Sequence, residues 1–159
     1  MEVIILIIAC SIEEMHQMDS SVADKLAIVH SCQPEQLPFG ARQVKDLAPS
    51  DELFKEYRKA VHRETFTSEW FENIYVPKFL QDLSTNQNAR IMLDNLCKVS
   101  YEQNILMGCF CQDSRQCHRT IVANILYGMG ANIRGNDERW KYQYNLYNHF
   151  MMQNRLHIY

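Results

Sequence analysis

The stretch Ile105-Leu106-Met107-Gly108-Cys109-Phe110-Cys111-Gln112-Asp113-Ser114-Arg115-Gln116-Cys117-His118-Arg119-Thr120-Ile121 decides the fold. It opens on an apolar run, crosses a short polar loop and enters a segment, Ile121 to Met129, whose apolar residues recur with helical spacing. That order reads as a buried strand, a turn and a helix. The turn holds three of the chain's six cysteines, with a histidine and an arginine beside them. In α/β proteins ligands sit where a strand gives way to a helix, so these residues mark both the architecture and its candidate site.

Working outward, two more strands are expected. Val3 to Ala9 is β-branched and apolar, and Lys25 to His30 is the second such run. The polar segment Glu13 to Ser21 between them is helical or irregular. From Ser31 to Pro49 the chain has Pro34, Pro38 and Gly40 and little periodicity, which reads as a long loop. Ser50 then caps a helix with Asp51 and Glu52 in its first turn and an apolar face of Leu53, Phe54, Tyr57, Ala60 and Val61. A second helix begins near Ser68, and Pro77 is expected to kink or divide it. A third, Gln87 to Lys98, buries Ile91, Met92, Leu93, Leu96 and Cys97; a short extended piece follows at Asn132 to Arg134. An aromatic helical tail runs from about 137 to 155, with Trp140, Tyr144, Tyr147 and Phe150 on it. The 159 residues carry no repeat or linker, so one α/β domain spanning 1–159, with a mainly parallel sheet flanked by helices, is the economical reading.

A net charge of −3 and pI near 6.1 argue against a protein that coats duplex nucleic acid, which needs a basic excess. The apolar run at the N-terminus is about eight residues, with Glu2 where a signal peptide carries a cation, and a membrane span needs roughly twenty. A cytoplasmic location with reduced cysteines is expected, and no membrane partner. The aromatic tail is a core element or a homodimer face.

If the three strands are parallel neighbours, Cys10, His30, Cys32, Cys109 and Cys111 gather along one edge, and Cys117-His118-Arg119 opens the helix above it. Cys117 at a helix N-terminus is expected to have a lowered pKa, and Arg119 to grip a phosphate or carboxylate. His118 reads as a general base, a metal ligand or a packed side chain. Cys109, Cys117, His118 and Arg119 are therefore the catalytic candidates, with Arg42, Arg58, Cys111 and Ser114 as ligand-binding candidates. Cys109, Cys111, Cys117 and His118 also form a donor set suited to zinc or iron. Three readings stay open: a thiolate or acid–base site for an anionic, nucleotide-like ligand, a metal site, and a structural turn pinned by Arg119 and His118.

The apolar-Cys-aromatic step, the polar loop and Cys117-His118-Arg119 before an amphipathic helix resemble domain-of-unknown-function family 488. Leu47-Ala48-Pro49-Ser50 leading into Tyr57-Arg58, then Tyr75 and Phe79-Leu80, agree with it over roughly Lys25 to Gly130. Cys111 departs from the pattern, since similar proteins have glutamate there; a carboxylate role is not expected at this position, while a metal-ligating one is compatible. The resemblance implies a compact α/β domain found in bacteria, archaea and their mobile elements, with no established reaction. It leaves an enzyme or binding domain and a phage-type interaction module as rival expectations.

Overall fold

The 105–109 run becomes the middle strand of a sheet, and all five of its residues are buried, as a strand covered on both faces requires. The computed structural model describes residues 5–19, 21, 23–111, 113–137 and 141–156. Five strands, β1 (Ile7–Ser11), β2 (Asp24–Ala27), β3 (Arg42–Gln43), β4 (Ile105–Cys109) and β5 (Ile133–Arg134), lie in the order β3-β2-β4-β1-β5. Every pairing is parallel. The register sets Ser11 against Cys109, and Cys10 and Ala27 on either side of Gly108, so the strand ends meet at one edge.

The first strand starts later than expected; Val3 and Ile4 lie outside the described residues. It runs on to Ser11, whose side chain accepts from the Glu14 amide and closes a capping box on α1 (Ile12–His16). The segment read as a long loop contains β3, which pairs Arg42 with Leu26 and Gln43 with Ala27.

Helix α2 (Asp51–His62) begins where Ser50 Oγ accepts from the Leu53 amide at 3.2 Å. The next helical stretch is not broken at Pro77. A single turn, α3 (Ser68–Trp70), widens into a π-helical turn, Phe71–Tyr75, and re-enters α4 (Val76–Thr85), with Pro77 as its second residue. In the wide turn the Val76 amide donates to the Phe71 carbonyl; Pro77 has no amide to offer. Helix α5 (Gln87–Val99) is capped by Asn86 and buries Leu93 and Leu96, whereas Ile91, expected inside, is 51% exposed. Helices α6 (His118–Gly128) and α7 (Tyr142–Leu156) complete the chain.

One face of the sheet rests on a large core that draws on α2, α4, α5, α6 and α7. Tyr147 is buried in it, and Tyr144 and Phe150 pack against it, so the aromatic side of the tail joins this chain's own core. Trp140 lies outside the described residues. The other face carries a smaller cluster, with Met15 of α1 beneath Leu106 and three cysteines among its eight buried members.

Candidate functional site

Cys109 is the last residue of β4, and Gly108 before it lets neighbouring chain come close. A Cβ at Gly108 would stand 2.8 Å from both the Cys10 carbonyl oxygen and Met15 Cε. After Phe110 the loop is tightened by Asp113, which accepts from the Arg115 amide at 3.0 Å and caps a 3-10 turn over Ser114–Gln116. Thr120 Oγ1 donates to the Ser114 carbonyl, and Gln116 reaches Ser68 Oγ, tying the loop to α3. Ser114 is exposed, its carbonyl accepts from Thr120 in the turn, and it is not among the residues lining the cleft described below.

Cys117 is the N-cap of α6, extended and without a side-chain capping bond. Its sulfur turns inward and meets Cys109 Sγ at 2.6 Å, both residues being 1–2% exposed. Arg119 Nη1 lies 3.6 Å from Cys109 Sγ and also donates to the Cys111 carbonyl. Arg119 is 4% exposed and is not among the residues lining the cleft described below, and its contacts are the Cys109 sulfur and the loop. His118 Nε2 bonds the Ile28 carbonyl and the ring meets Phe79 edge-on, which anchors the end of the β2 segment to α6.

These contacts decide which sulfur carries charge. Hydrogen bonds from Cys111 and then Cys117 hold Cys109 far below the ordinary thiol range, with His118 and Arg119 adding to them against burial. Cys111 is pushed up to about 12, chiefly by its hydrogen bond to Cys109. Burial, then its bond to Cys109, drives Cys117 well up. The charge expected at Cys117 is thus drawn toward Cys109: both sulfurs are buried, and the hydrogen bonds among the three thiols lower Cys109 and raise Cys117. Burial opposes charge on Arg119, but Cys117 and Cys109 outweigh it and raise its pKa.

The sulfurs lie along a cleft of about 350 Å³ between the ends of β2 and β4. Its walls are aromatic: Phe54 and Tyr57 from α2, Phe71 and Tyr75 from the π-helical turn, and Phe110 from the loop. His30 stacks on Phe54 at 4.3 Å, its Nε2 pairs with Asp51, and its Nδ1 has no hydrogen-bond partner among the described residues. Burial raises the pKa of Tyr57 and, more strongly, of Tyr75, so both hydroxyls stay protonated. Arg58 is exposed and covers Phe54 at 5.8 Å, at the cleft's rim. Arg42 borders a different depression, shared with Asp24 and Gln103, so it is removed from the site: strand β3 carries it to the sheet edge near the start of β4. The aromatic wall was hidden in the sequence because Phe54 and Tyr57 look like ordinary core positions on an amphipathic helix.

As a metal set, Cys109, Cys117 and His118 have ligand atoms within 4.8 Å of one another; Cys111 is not in that group. The donors suit zinc or iron, but two thiolates on a tetrahedral zinc stand about 3.7 Å apart, from Zn–S bonds of about 2.3 Å. The two sulfurs would have to separate, beside a guanidinium that repels a cation.

No helix among the described residues is long and apolar enough to cross a membrane. A family model described as the active DUF488-N3 subclade matches residues 24–130, which includes the β4–α6 turn and the cleft walls. No curated protein and no solved structure matches the chain.

Proposed function

The chain belongs to the DUF488 family, and from that premise we propose that it is a thiolate-dependent enzyme acting on a nucleotide-like ligand, with Cys109 as nucleophile. One observation carries this reading: the sulfur best stabilised as an anion stands at the base of a cleft walled by aromatic rings. A thiolate, not a thiol, is the nucleophile, and a low-pKa cysteine in a cleft is a functional-site signature. Stacked rings suit a planar base, which finds contact area there without needing a particular hydrogen-bond pattern. Cys111 and Cys117, with His118 and Arg119 behind them, keep Cys109 charged; His118 ties α6 to the end of the β2 segment. Arg58, exposed and lying over the cleft-lining Phe54 ring, is the cation this reading assigns to the ligand's phosphate.

Iodoacetamide at neutral pH, read by peptide mapping, tests the nucleophile. Cys109 is expected to alkylate ahead of the half-buried Cys32, whose pKa burial raises, and adenosine or guanosine monophosphate should slow it. Labelling of Cys109 no faster than Cys32 would defeat the thiolate, and absence of protection would defeat the ligand class. The gathering of Cys109, Cys117 and His118 supports a second reading, a metal-stabilised interaction module. Stoichiometric zinc or iron in the purified protein, with a melting temperature that falls on chelation, would favour it.

A further inference from the structure

The reading above uses Cys117 only as a hydrogen-bond partner of Cys109. A residue at the N-cap of a helix normally bonds a first-turn amide through its side chain, and serine, threonine, asparagine or aspartate does so well. Cys117 makes no such bond, yet its sulfur is buried in contact with the Cys109 sulfur, at 2.6 Å. We propose that Cys117 is the resolving thiol for Cys109, and that the site reduces a hydroperoxide by passing through an internal Cys109–Cys117 disulfide. This rests on the reading of Cys109 as a thiolate.

The chemistry closes with the groups present and a hydroperoxide as oxidant. Cys109 thiolate attacks the distal peroxide oxygen; the S–O bond forms, the O–O bond breaks, and the departing oxyanion takes a proton from water. Arg119, 3.6 Å from Cys109 Sγ, supports the negative charge as it passes to that oxygen. Cys109 is left as a sulfenic acid. Cys117 sulfur then attacks Cys109 sulfur, the S–S bond forms, and hydroxide leaves as water with the Cys117 proton. Two thiols lose two electrons, and the hydroperoxide becomes an alcohol (or water) plus water. An external dithiol restores the pair.

Cys97 is worse placed: it donates to the Met129 carbonyl and packs against the large core. Cys111 also hydrogen-bonds both Cys109 and Cys117, so it is the rival partner that the experiment separates. Both partners of the proposed disulfide line the cleft, so a small peroxide has a route to them.

The test treats the reduced full chain with one equivalent of hydrogen peroxide, blocks remaining thiols with iodoacetamide and maps peptides without reductant. Trypsin cuts after Arg115, between the two cysteines, so a disulfide joins two peptides. The expected result is a Cys109–Cys117 link that dithiothreitol removes, with no dimedone adduct. Cys117→Ser should instead accumulate a Cys109 sulfenic acid that dimedone captures; Cys117→Ala gives the same readout if serine destabilises the fold, and Cys111→Ser should still form the link. Overoxidised Cys109 beside an alkylatable Cys117, or a Cys109–Cys111 link in the parent, overturns the proposal while leaving the nucleophile intact. A Cys109 that neither oxidises nor alkylates removes the thiolate reading, and this inference falls with it.

Discussion

The two faces of the sheet are built to different ends. The helix-covered face contributes to a cluster of twenty-five buried residues, with rings and branched aliphatics from five helices. The opposite cluster has eight, three of them cysteines, beneath a helix of five residues. Stability scales with apolar area removed from water, so the first face holds the chain folded. The second, thinner face leaves sulfur where polar partners can tune it. The sulfurs thus gather in the thinner cluster, whereas Phe71 and Tyr75 belong to the large core and wall the cleft as well.

The largest effect should come from the thick face. Phe79→Ala empties a fully buried site on α4 and is expected to cost about 3–5 kcal/mol in urea unfolding. A cost under about 1 kcal/mol would break the comparison. Arg119→Ala comes next, at about 1–3 kcal/mol, because it orphans the Cys111 carbonyl. It should also raise the pKa of Cys109 and slow its alkylation at neutral pH, an effect that a simple loop clamp would not produce.

Cys10→Ala, on the thin face, should cost about 1 kcal/mol. The same residue sharpens the contrast in pH. Burial, then Glu14, pushes Cys10 up to about 11, so its thiolate, and hence its labelling rate, should fall roughly tenfold per pH unit below that value. Cys109, shifted the other way, should label at a rate nearly independent of pH around neutrality. Parallel pH profiles would show that the two buried sulfurs share one environment. The smallest effect belongs to neither face: Lys78→Ala removes a half-exposed ion pair to Glu56 at 2.8 Å and should change stability by less than about 1 kcal/mol.

Much of this was legible in the sequence where the evidence was local. Strand β4, the turn and α6 follow from a change of period within a few residues, and the meeting of Cys10, Cys109 and Cys117 in one cluster follows from parallel strands ending together. What escaped depended on distant packing. Strand β3 is two residues long and exists through its pairing with β2, so the displacement of Arg42 had no local signal. The charge on Cys117 was misread because a helix dipole is visible in sequence, and the burial and thiol hydrogen bonds that override it are not. Phe54 and Tyr57 fit the helical period of a core face; only the position of α2 turns them toward a cleft.

The π-helical turn at Phe71–Tyr75 carries a consequence for how this cleft can change. Phe71, Tyr75 and Phe79 recur at four-residue intervals through and beyond this turn, and their rings stack in a near-parallel column, 5.1 and 6.0 Å apart. Removing one residue from that turn would restore regular helical pitch with the flanking helices kept in phase, since the wide turn has already absorbed the extra residue. The loss would fall on the bulge itself, and so on the part of the wall that Phe71 and Tyr75 form, while Phe79 kept its place in the core. Chain length at this point, more than the identity of any side chain, is thus the parameter by which descendants of this sequence would reshape what the cleft admits.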